Sequence, residues 1–275
     1  METEVTRYGV KEQQTANTKL DVHLEEIRVF GYTILDSGFD HVALADFKSR
    51  LDNILARQSA EAGDDGVLAS IGERNTARAL LAYDETFLKL ALHPQIQEIC
   101  RRLLGEYFIL MLQNATINPP NEERHHQSAY HRDLPYQHFV SSRPLAVNAL
   151  LCLDPFSRDT GSTFVLPCSH KAEAFPSDDY VRKMELPITA PVGSFIVFDS
   201  MLYHRAGLNI SENHRYAINL CYSLPILKQQ ISLPALLGGK WSENAALARL
   251  LGYESEPVHS VLEWQQQRLR RRRPI

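Results

Sequence analysis

Two histidines and one aspartate, His131, Asp133 and His204, are the residues of this 275-residue chain whose types and spacing best suit chemistry. Successive side chains of an extended strand alternate between its two faces, so positions 131 and 133 point in the same direction. A histidine from a second strand can then join them. Two imidazoles and one carboxylate on one face of a metal leave the opposite face open, which is the ligand set of non-haem Fe(II) oxygenases. The spacing therefore favours iron over zinc, since zinc enzymes usually rely on imidazoles or a HExxH helix.

Arg215, which lies 11 positions after His204, adds a guanidinium group that stays charged and can bind a carboxylate through two parallel hydrogen bonds. We interpret it as the residue that binds a carboxylate-bearing co-substrate. Two alternatives remain open from these residues alone. Arg215 can form a structural salt bridge, and the two histidines can simply complete hydrogen bonds in the core.

The surroundings of these residues form an ordered series of motifs. After the His-Arg-Asp tripeptide come a Gly-Ser-Thr turn at 161–163, a Pro-Cys-Ser-His-Lys segment, an apolar segment at 193–199, and then the distal histidine and arginine. In this order the chain resembles the phytanoyl-CoA dioxygenase family of Fe(II)- and 2-oxoglutarate-dependent oxygenases over about residues 25 to 225. The chain departs from the family pattern at three positions, where tryptophan, glycine and a small hydroxyl residue are usual: Tyr130, Cys168 and Ala206.

The resemblance implies which residues bind the cofactors. The two histidines and Asp133 would hold Fe(II), Arg215 would bind the distal carboxylate of 2-oxoglutarate, and O2 would take the remaining position of the metal. Thr163, in the Gly-Ser-Thr turn, can donate its hydroxyl to the same carboxylate. Buried polar side chains on apolar strands need partners, and these can be the co-substrate or a backbone group. Further co-substrate contacts are predicted on this basis for Gln113 and Asn148, and also for Gln127.

The resemblance also implies a reaction. Oxidative decarboxylation of 2-oxoglutarate would release succinate and CO2, and a C–H bond of a small metabolite would be hydroxylated. Desaturation, epoxidation or cyclisation in a biosynthetic pathway are alternatives with the same cofactors. Asp133 favours oxygenation over halogenation, because related halogenases have Gly or Ala there and bind a halide instead. A catalytically silent, cupin-like binding protein is an alternative of another class.

The sequence says less about the substrate. Several polar and charged residues surround the His-Arg-Asp segment and its following loop, and they can line the mouth of a site for an anionic or zwitterionic small molecule. These candidate substrate-binding residues are Arg132, Tyr136, His138 and Arg143. A solvated rim without a binding role is the alternative for each of them.

The elements that must position these residues change in character along the chain. Amphipathic helices are predicted over 19–30, 40–58, 83–92 and 94–104, with a loop at 60–75 and a short strand after Gly31. From Tyr107 onward short apolar runs alternate with turn residues, which is typical of a β-sandwich or jelly roll. We therefore predict a mainly β fold with flanking helices, a cupin-like double-stranded β-helix with the helices packed outside. Residues 1–275 are predicted to form one domain, with residues 1–18 as a mobile arm.

Composition narrows the class of partner. The formal net charge of −4 gives no general attraction to nucleic acid or membranes. We expect the terminal arginines, Arg268 and 270–273, to end a solvated helix. No apolar run approaches the roughly 20 residues that span a bilayer, and the N-terminus has no export or transit signal. The four cysteines form no CxxC pair, which favours free thiols in a reducing compartment. We expect a cytoplasmic protein, monomeric or homodimeric, that acts on a small molecule.

Overall fold

The computed structural model describes residues 5–121 and 127–272. Within them the α-helices are α1 (Lys19–Phe30), α2 (His41–Ala62), α3 (Asp65–Ser70), α4 (Leu80–Tyr83), α5 (Leu88–Ala91), α6 (Pro94–Leu104), α7 (Asp178–Met184), α8 (Leu233–Leu237), α9 (Ala245–Leu250) and α10 (Val261–Arg272). The strands are β1 (Tyr32–Asp36), β2 (Thr76–Ala77), β3 (Ile109–Asn118), β4 (Ala146–Cys152), β5 (Thr163–Val165), β6 (Leu186–Pro187), β7 (Ser194–Asp199), β8 (His204–Ala206) and β9 (Arg215–Ser223).

The strands form two antiparallel sheets. The large sheet has the order β1-β7-β4-β9-β3-β2, and the small sheet has the order β6-β5-β8. Asn118 of the large sheet donates hydrogen bonds to the carbonyls of Gly161 and Gly207, which flank strands of the small sheet. The two sheets therefore face each other, and the predicted fold class of antiparallel sheets with flanking helices is confirmed.

Both faces of the large sheet are buried. On β4, Val147, Ala149 and Leu151 belong to the main apolar core, which also contains side chains of helices α1, α2 and α6. The alternate β4 residues, Leu150 and Cys152, pack in a second cluster with Val165 of the small sheet and so line the interior between the sheets. Residues directly opposite each other on antiparallel neighbours share a face, so this alternation fixes which side chains can reach the interior.

The first helix and strand follow the sequence prediction closely. Thr18 and Asp21 form a reciprocal capping box at the start of α1. Gly31 ends the helix in the left-handed region with φ of 94°, and a Cβ there would lie 2.7 Å from atoms of both His170 and Leu202. Glycine is thus required both by the backbone conformation and by the close packing of β1 and its neighbours.

One helix prediction and one loop prediction were wrong. The helix predicted over 83–92 is divided, because Asp84 is extended (φ −148°, ψ 119°) and its carboxylate accepts the N–H of Thr86 to begin a separate 3-10 turn. The loop predicted at 60–75 contains the end of α2 and all of α3. Residues 5–18 are exposed and lie outside helices and strands; their mobility stays a prediction. Among the described residues, no helix combines the length and apolar character needed to cross a membrane.

Candidate metal centre and co-substrate site

The interior between the sheets brings the three predicted ligands together. His131 forms an antiparallel bridge with His204 of β8, in which each backbone N–H donates to the other residue's carbonyl at 3.0 and 3.1 Å. The N–H of Asp133 donates to the carbonyl of Ser200 at 3.0 Å, in the turn after β7. Ligand atoms of the three side chains all lie within 4.8 Å of one another. Strand alternation therefore predicts correctly that the side chains at 131 and 133 converge. The bridge between His131 and His204 is, however, the only strand-like pairing in this described segment.

The ring nitrogens are arranged to suit a metal. Nδ1 of His131 lies 2.9 Å from the carbonyl oxygen of Ala129, and Nδ1 of His204 lies 3.0 Å from that of Leu202. A neutral imidazole that donates from Nδ1 presents the lone pair of Nε2. The two Nε2 atoms lie 3.6 and 3.5 Å from the Oδ1 atom of Asp133. Backbone carbonyls thus orient both rings toward the same carboxylate.

The electrostatics keep Asp133 ionised. Burial alone would raise the pKa of its carboxyl, but protonated His204 and His131, whose charge a bound cation would replace, outweigh burial and hold the pKa well below its usual range. The second carboxylate oxygen, Oδ2, is buried and has no hydrogen-bond partner among the described residues. A buried charged oxygen without a partner is costly. The arrangement is therefore suited to a cation that would satisfy this oxygen.

Outside the interior, side-chain contacts join the two segments that carry the histidines. Tyr130, next to His131, donates its hydroxyl to Glu185 at 2.8 Å, and Arg205, next to His204, pairs with the same carboxylate oxygen at 2.8 Å. The guanidinium of Arg205 also lies over the Tyr130 ring. One carboxylate therefore fixes the neighbours of both imidazoles relative to each other.

Arg215 lies at the start of β9, on the interior face of the large sheet. Its side chain is buried against the ring of Phe156, with 4.1 Å between Cζ and the ring centroid. Within the described part of the chain its guanidinium makes no hydrogen bond or ion pair, and its Nε is buried without a partner. Burial lowers the pKa of Arg215 to about 10, so it remains charged at neutral pH. The structural salt bridge considered as an alternative is absent from the described residues.

The β9 backbone at this point is anchored from the helical side. The N–H of Tyr216 donates to Asp154, whose carboxylate pairs with Lys48 of α2 at 2.7 Å. Lys48 also lies over the Tyr216 ring. Because Tyr216 points toward the helices, Arg215 must point into the interior.

Two of the predicted co-substrate residues face the interior. Thr163 of β5 pairs with Ala206 and so shares the face of His204, two residues earlier on β8. Asn148 of β4 accepts a hydrogen bond from Ser200 and donates to Asn219 of β9 at 3.0 Å. Thr163 and Asn148 therefore remain candidates for contact with a co-substrate.

Gln113 does not face this interior. It lies opposite Leu220, which belongs to the helix-facing core, and its amide donates to the carbonyl of Phe87 at 2.9 Å. The partner of Gln113 is thus the backbone group that the sequence left as an alternative. Gln127 lies closer to the metal ligands, since its carbonyl accepts the N–H of Ala206 at 2.7 Å.

The candidate substrate residues are distributed differently from the prediction. Arg132 is buried, with its guanidinium over the Tyr203 ring and hydrogen-bonded to backbone carbonyls that include Ser169 at 2.8 Å. These contacts give it a structural role and leave it unavailable at a mouth. Tyr136, His138 and Arg143 are exposed, and their role in substrate binding stays a prediction.

Sequence reasoning missed two interior residues, Asn219 and Ser200. Asn219 lies four positions after Arg215 on β9. Because side chains two or four positions apart on a strand share a face, strand alternation could have identified it. Ser200 lies in the turn after β7, where its hydroxyl bonds Asn148 and lies 3.7 Å from the sulfur of Cys221. No sequence signal distinguishes Ser200 from an ordinary turn serine.

The chain is similar to several known proteins. The model of the family described as phytanoyl-CoA dioxygenase matches residues 27–217. An uncharacterized protein of Mycobacterium tuberculosis is 34% identical over 256 residues, which cover 91% of this chain and 93% of that protein. A protein named dioxygenase af480 of Aspergillus fumigatus is 26% identical over 176 residues, 61% of this chain and 55% of its own.

Solved structures show the same fold. The non-heme alpha-ketoglutarate-dependent epimerase SnoN from nogalamycin biosynthesis superposes with a TM-score of 0.58 at 18% identity, covering 75% of this chain and 83% of its own. The non-heme monooxygenase ThoJ superposes with a TM-score of 0.59 at 18% identity, covering 76% and 80%. At these identities the likeness concerns the fold.

Proposed function

Because the chain belongs to the phytanoyl-CoA dioxygenase family and is an Fe(II)- and 2-oxoglutarate-dependent oxygenase, we propose that it hydroxylates a C–H bond of a small anionic or zwitterionic metabolite, with release of succinate and CO2. The observation that best supports this proposal is the convergence of His131, Asp133 and His204, with an unpaired, buried Arg215 on the same interior. We also propose that residues 1–275 act as a single domain.

We assign iron binding to the three converging side chains. The donor set consists of two Nε2 lone pairs and one carboxylate whose Oδ2 lacks a partner in the described structure. The distances of 3.5 and 3.6 Å between Nε2 atoms and the carboxylate leave room for an ion between them. This set matches the two-histidine, one-carboxylate arrangement of non-haem iron sites.

We assign the distal carboxylate of 2-oxoglutarate to Arg215. A buried guanidinium without a direct ion-pair partner favours a carboxylate ligand strongly, because pairing offsets the cost of burying the charge. Thr163 can donate its hydroxyl to the same ligand, and the linked amides of Asn148 and Asn219 can contact its other polar atoms. Gln113 is excluded from this assignment by its position on the other face of the sheet.

The chain's own contribution to the reaction is to hold ligands and exclude water. Bound Fe(II), together with 2-oxoglutarate and O2, supplies the oxidising power for removing a hydrogen atom from carbon. Beside Asp133, the apolar side chains of Met111, Leu134 and Met201 form a buried cluster. We propose that this cluster keeps water from the reacting centre and positions the apolar part of the substrate.

The test is turnover with a defined panel. The protein is incubated with Fe(II), 2-oxoglutarate, O2 and anionic or zwitterionic metabolites, and succinate and product mass are measured. Hydroxylation adds one oxygen atom, whereas desaturation or cyclisation removes two hydrogen atoms. His131→Ala is expected to abolish succinate formation, and His259→Ala, which changes an exposed histidine with no proposed role, is expected to leave it unchanged. Succinate formation that survives in His131→Ala contradicts the ligand assignment.

The alternatives have distinct outcomes in the same experiment. Epoxidation adds an oxygen atom but consumes a double bond, which fragmentation spectra reveal. A silent binding protein would bind 2-oxoglutarate without forming succinate with any member of the panel. That result would overturn the proposed reaction while leaving the ligand assignment to be tested by metal affinity.

A further inference from the structure

A basic cavity lies outside the proposed iron and co-substrate site. It has a volume of about 350 Å³ and lies between the C-terminal ends of α1 and α6 and the segments around Arg143 and Lys171. None of the proposed iron ligands lines it, and neither does Arg215. Its lining includes five cationic side chains: Arg28, Arg101, Arg102, Arg143 and Lys171. One carboxylate, Asp199, lines it with them.

Two of the five cations are already paired. Arg101 lies 3.4 Å from Glu106 and also pairs with Glu98, and Arg102 lies 3.3 Å from Asp21. The other three, Arg28, Arg143 and Lys171, have no ion pair with any described residue. The cavity therefore keeps an excess of positive charge after its internal ion pairs are taken into account.

Helix capping explains only part of this excess. Arg28 lies in the last turn of α1, where a cation complements the partial negative charge of the helix end. Arg143 and Lys171 do not belong to either long helix: Arg143 lies in the loop before β4, and Lys171 ends a 3-10 turn. Neither has an ion-pair partner among the described residues. Their placement on the same cavity as Arg28 needs another explanation.

The single lining carboxylate does not cancel the excess. Asp199 is buried, and its carboxylate accepts the N–H of Met201 at 2.9 Å. The positive charges of Lys171 and the buried Arg132 act on it. Arg132 has no carboxylate partner of its own within the described structure, so its charge balances that of Asp199. The three unpaired cations of the lining therefore keep their excess positive charge.

We propose that this cavity binds the phosphate group of a small phosphate-bearing molecule, separately from the iron and 2-oxoglutarate. Arginine forks bind phosphate oxygens through paired, charge-assisted hydrogen bonds, and lysine adds a mobile point charge. The volume lies within the range of small-molecule sites and accommodates a pyrophosphate-sized group.

The cavity is close to the metal ligands along the chain but is separated from them by one turn. Asp199, on the cavity, is followed by Ser200, whose carbonyl accepts the N–H of Asp133. Ser200 in turn bonds Asn148 on the interior face. A bound phosphate group would therefore lie behind the turn that supports Asp133. The proposal itself does not depend on the oxidation reaction.

Pyrophosphate is the probe for this site. Isothermal titration calorimetry on the full chain, with a chelator present to keep the protein metal-free, is expected to show one binding site. Arg143→Gln combined with Lys171→Gln is expected to weaken pyrophosphate binding by about tenfold or more, since two charge-assisted contacts are lost. Both residues are exposed, so the variant should keep the melting temperature of the wild type.

A matched control removes the same charge elsewhere. Arg74→Gln combined with Lys89→Gln changes two exposed cations that do not line the cavity and is expected to bind pyrophosphate like the wild type. Saturating 2-oxoglutarate should leave pyrophosphate binding intact if the two sites are separate. The proposal is overturned by any of three results: no binding to the wild type, equal weakening in the control, or complete displacement by 2-oxoglutarate. Failure of the oxygenase assay would leave all three readouts unaffected.

Discussion

Replacing Arg215 with methionine should make the protein more stable without co-substrate and far weaker in binding it. The buried guanidinium has no ion-pair partner among the described residues, although the charge of Asp154 acts on it. The fall of its pKa from 12.5 to about 10 corresponds to a cost of about 3 kcal/mol for holding the charge in the fold. Because the folded-state pKa of this cation is depressed, that cost applies at every pH below about 10. Methionine fills a similar volume without the charge, so it removes this cost.

The same change should remove the stabilisation that 2-oxoglutarate provides. Losing a charge-assisted pair of hydrogen bonds costs about 3 kcal/mol, which is roughly a 150-fold rise in Kd. The assay is thermal and urea unfolding of wild type and Arg215→Met, each titrated with 2-oxoglutarate in the presence of Ni(II). The wild-type Tm should rise with ligand concentration, and the variant should start at an equal or higher Tm and respond weakly.

Arg50→Met is the matched control. Arg50 pairs with Asp46 and Asp84 on the helical side, so its loss should leave 2-oxoglutarate affinity unchanged. The reasoning about Arg215 is refuted if Arg215→Met unfolds more easily than wild type by more than about 1 kcal/mol in the absence of ligand. It is equally refuted if the variant keeps 2-oxoglutarate affinity within about threefold of wild type.

Three further changes test the supporting structure. Glu185→Gln should weaken Co(II) binding, because the two segments that carry the imidazoles lose the carboxylate that joins them. The visible spectrum of the bound ion measures this binding. An unchanged spectrum and affinity would show that the carboxylate is dispensable. Asp199→Asn should raise the free energy of unfolding at pH 7.5 but not at pH 4. Burial raises the pKa of this carboxyl to about 6, so the cost of ionising it disappears below that pH. An equal gain in stability at both pH values would contradict this. Gly31→Ala should lower the free energy of unfolding in urea by about 2–4 kcal/mol, because of the left-handed φ and the collision of the new Cβ with its neighbours. Gly38→Ala is the control: Gly38 also has a positive φ but lies in open space, so its replacement should lower the free energy of unfolding clearly less.

The sequence predicts the proposed ligand set well because its information is local. Positions 131 and 133 share a face by strand alternation, and the distal histidine and arginine follow in a fixed order. The secondary structure around them is less regular than strand alternation assumes: His204 begins the three-residue strand β8, and His131 forms a single isolated bridge. Gln113 shows where this reasoning stops. Both faces of its strand are buried, so the apolar pattern cannot tell which face reaches the interior.

Arg132 and Asp84 illustrate two other limits. The buried position of Arg132 depends on carbonyls from a segment some forty residues away, and such a contact leaves no trace in local composition. Asp84 interrupts an apolar pattern with helical period because its carboxylate caps the next turn, a competition between side chain and backbone that periodicity alone does not resolve. The basic cavity likewise unites five separate segments, and only the packed structure brings their charges together.

The pairing order of the large sheet has a consequence for how the protein is made. Apart from the β2–β3 contact, every strand pairing in the described large sheet includes β7 or β9. Strand β1 must therefore wait for a partner more than 150 residues later in the chain, a separation typical of slow folding. A nascent chain that ends before Ser194 should have helices but no large sheet. Metal capture should thus be among the last events of synthesis, after β8 and β9 have left the ribosome.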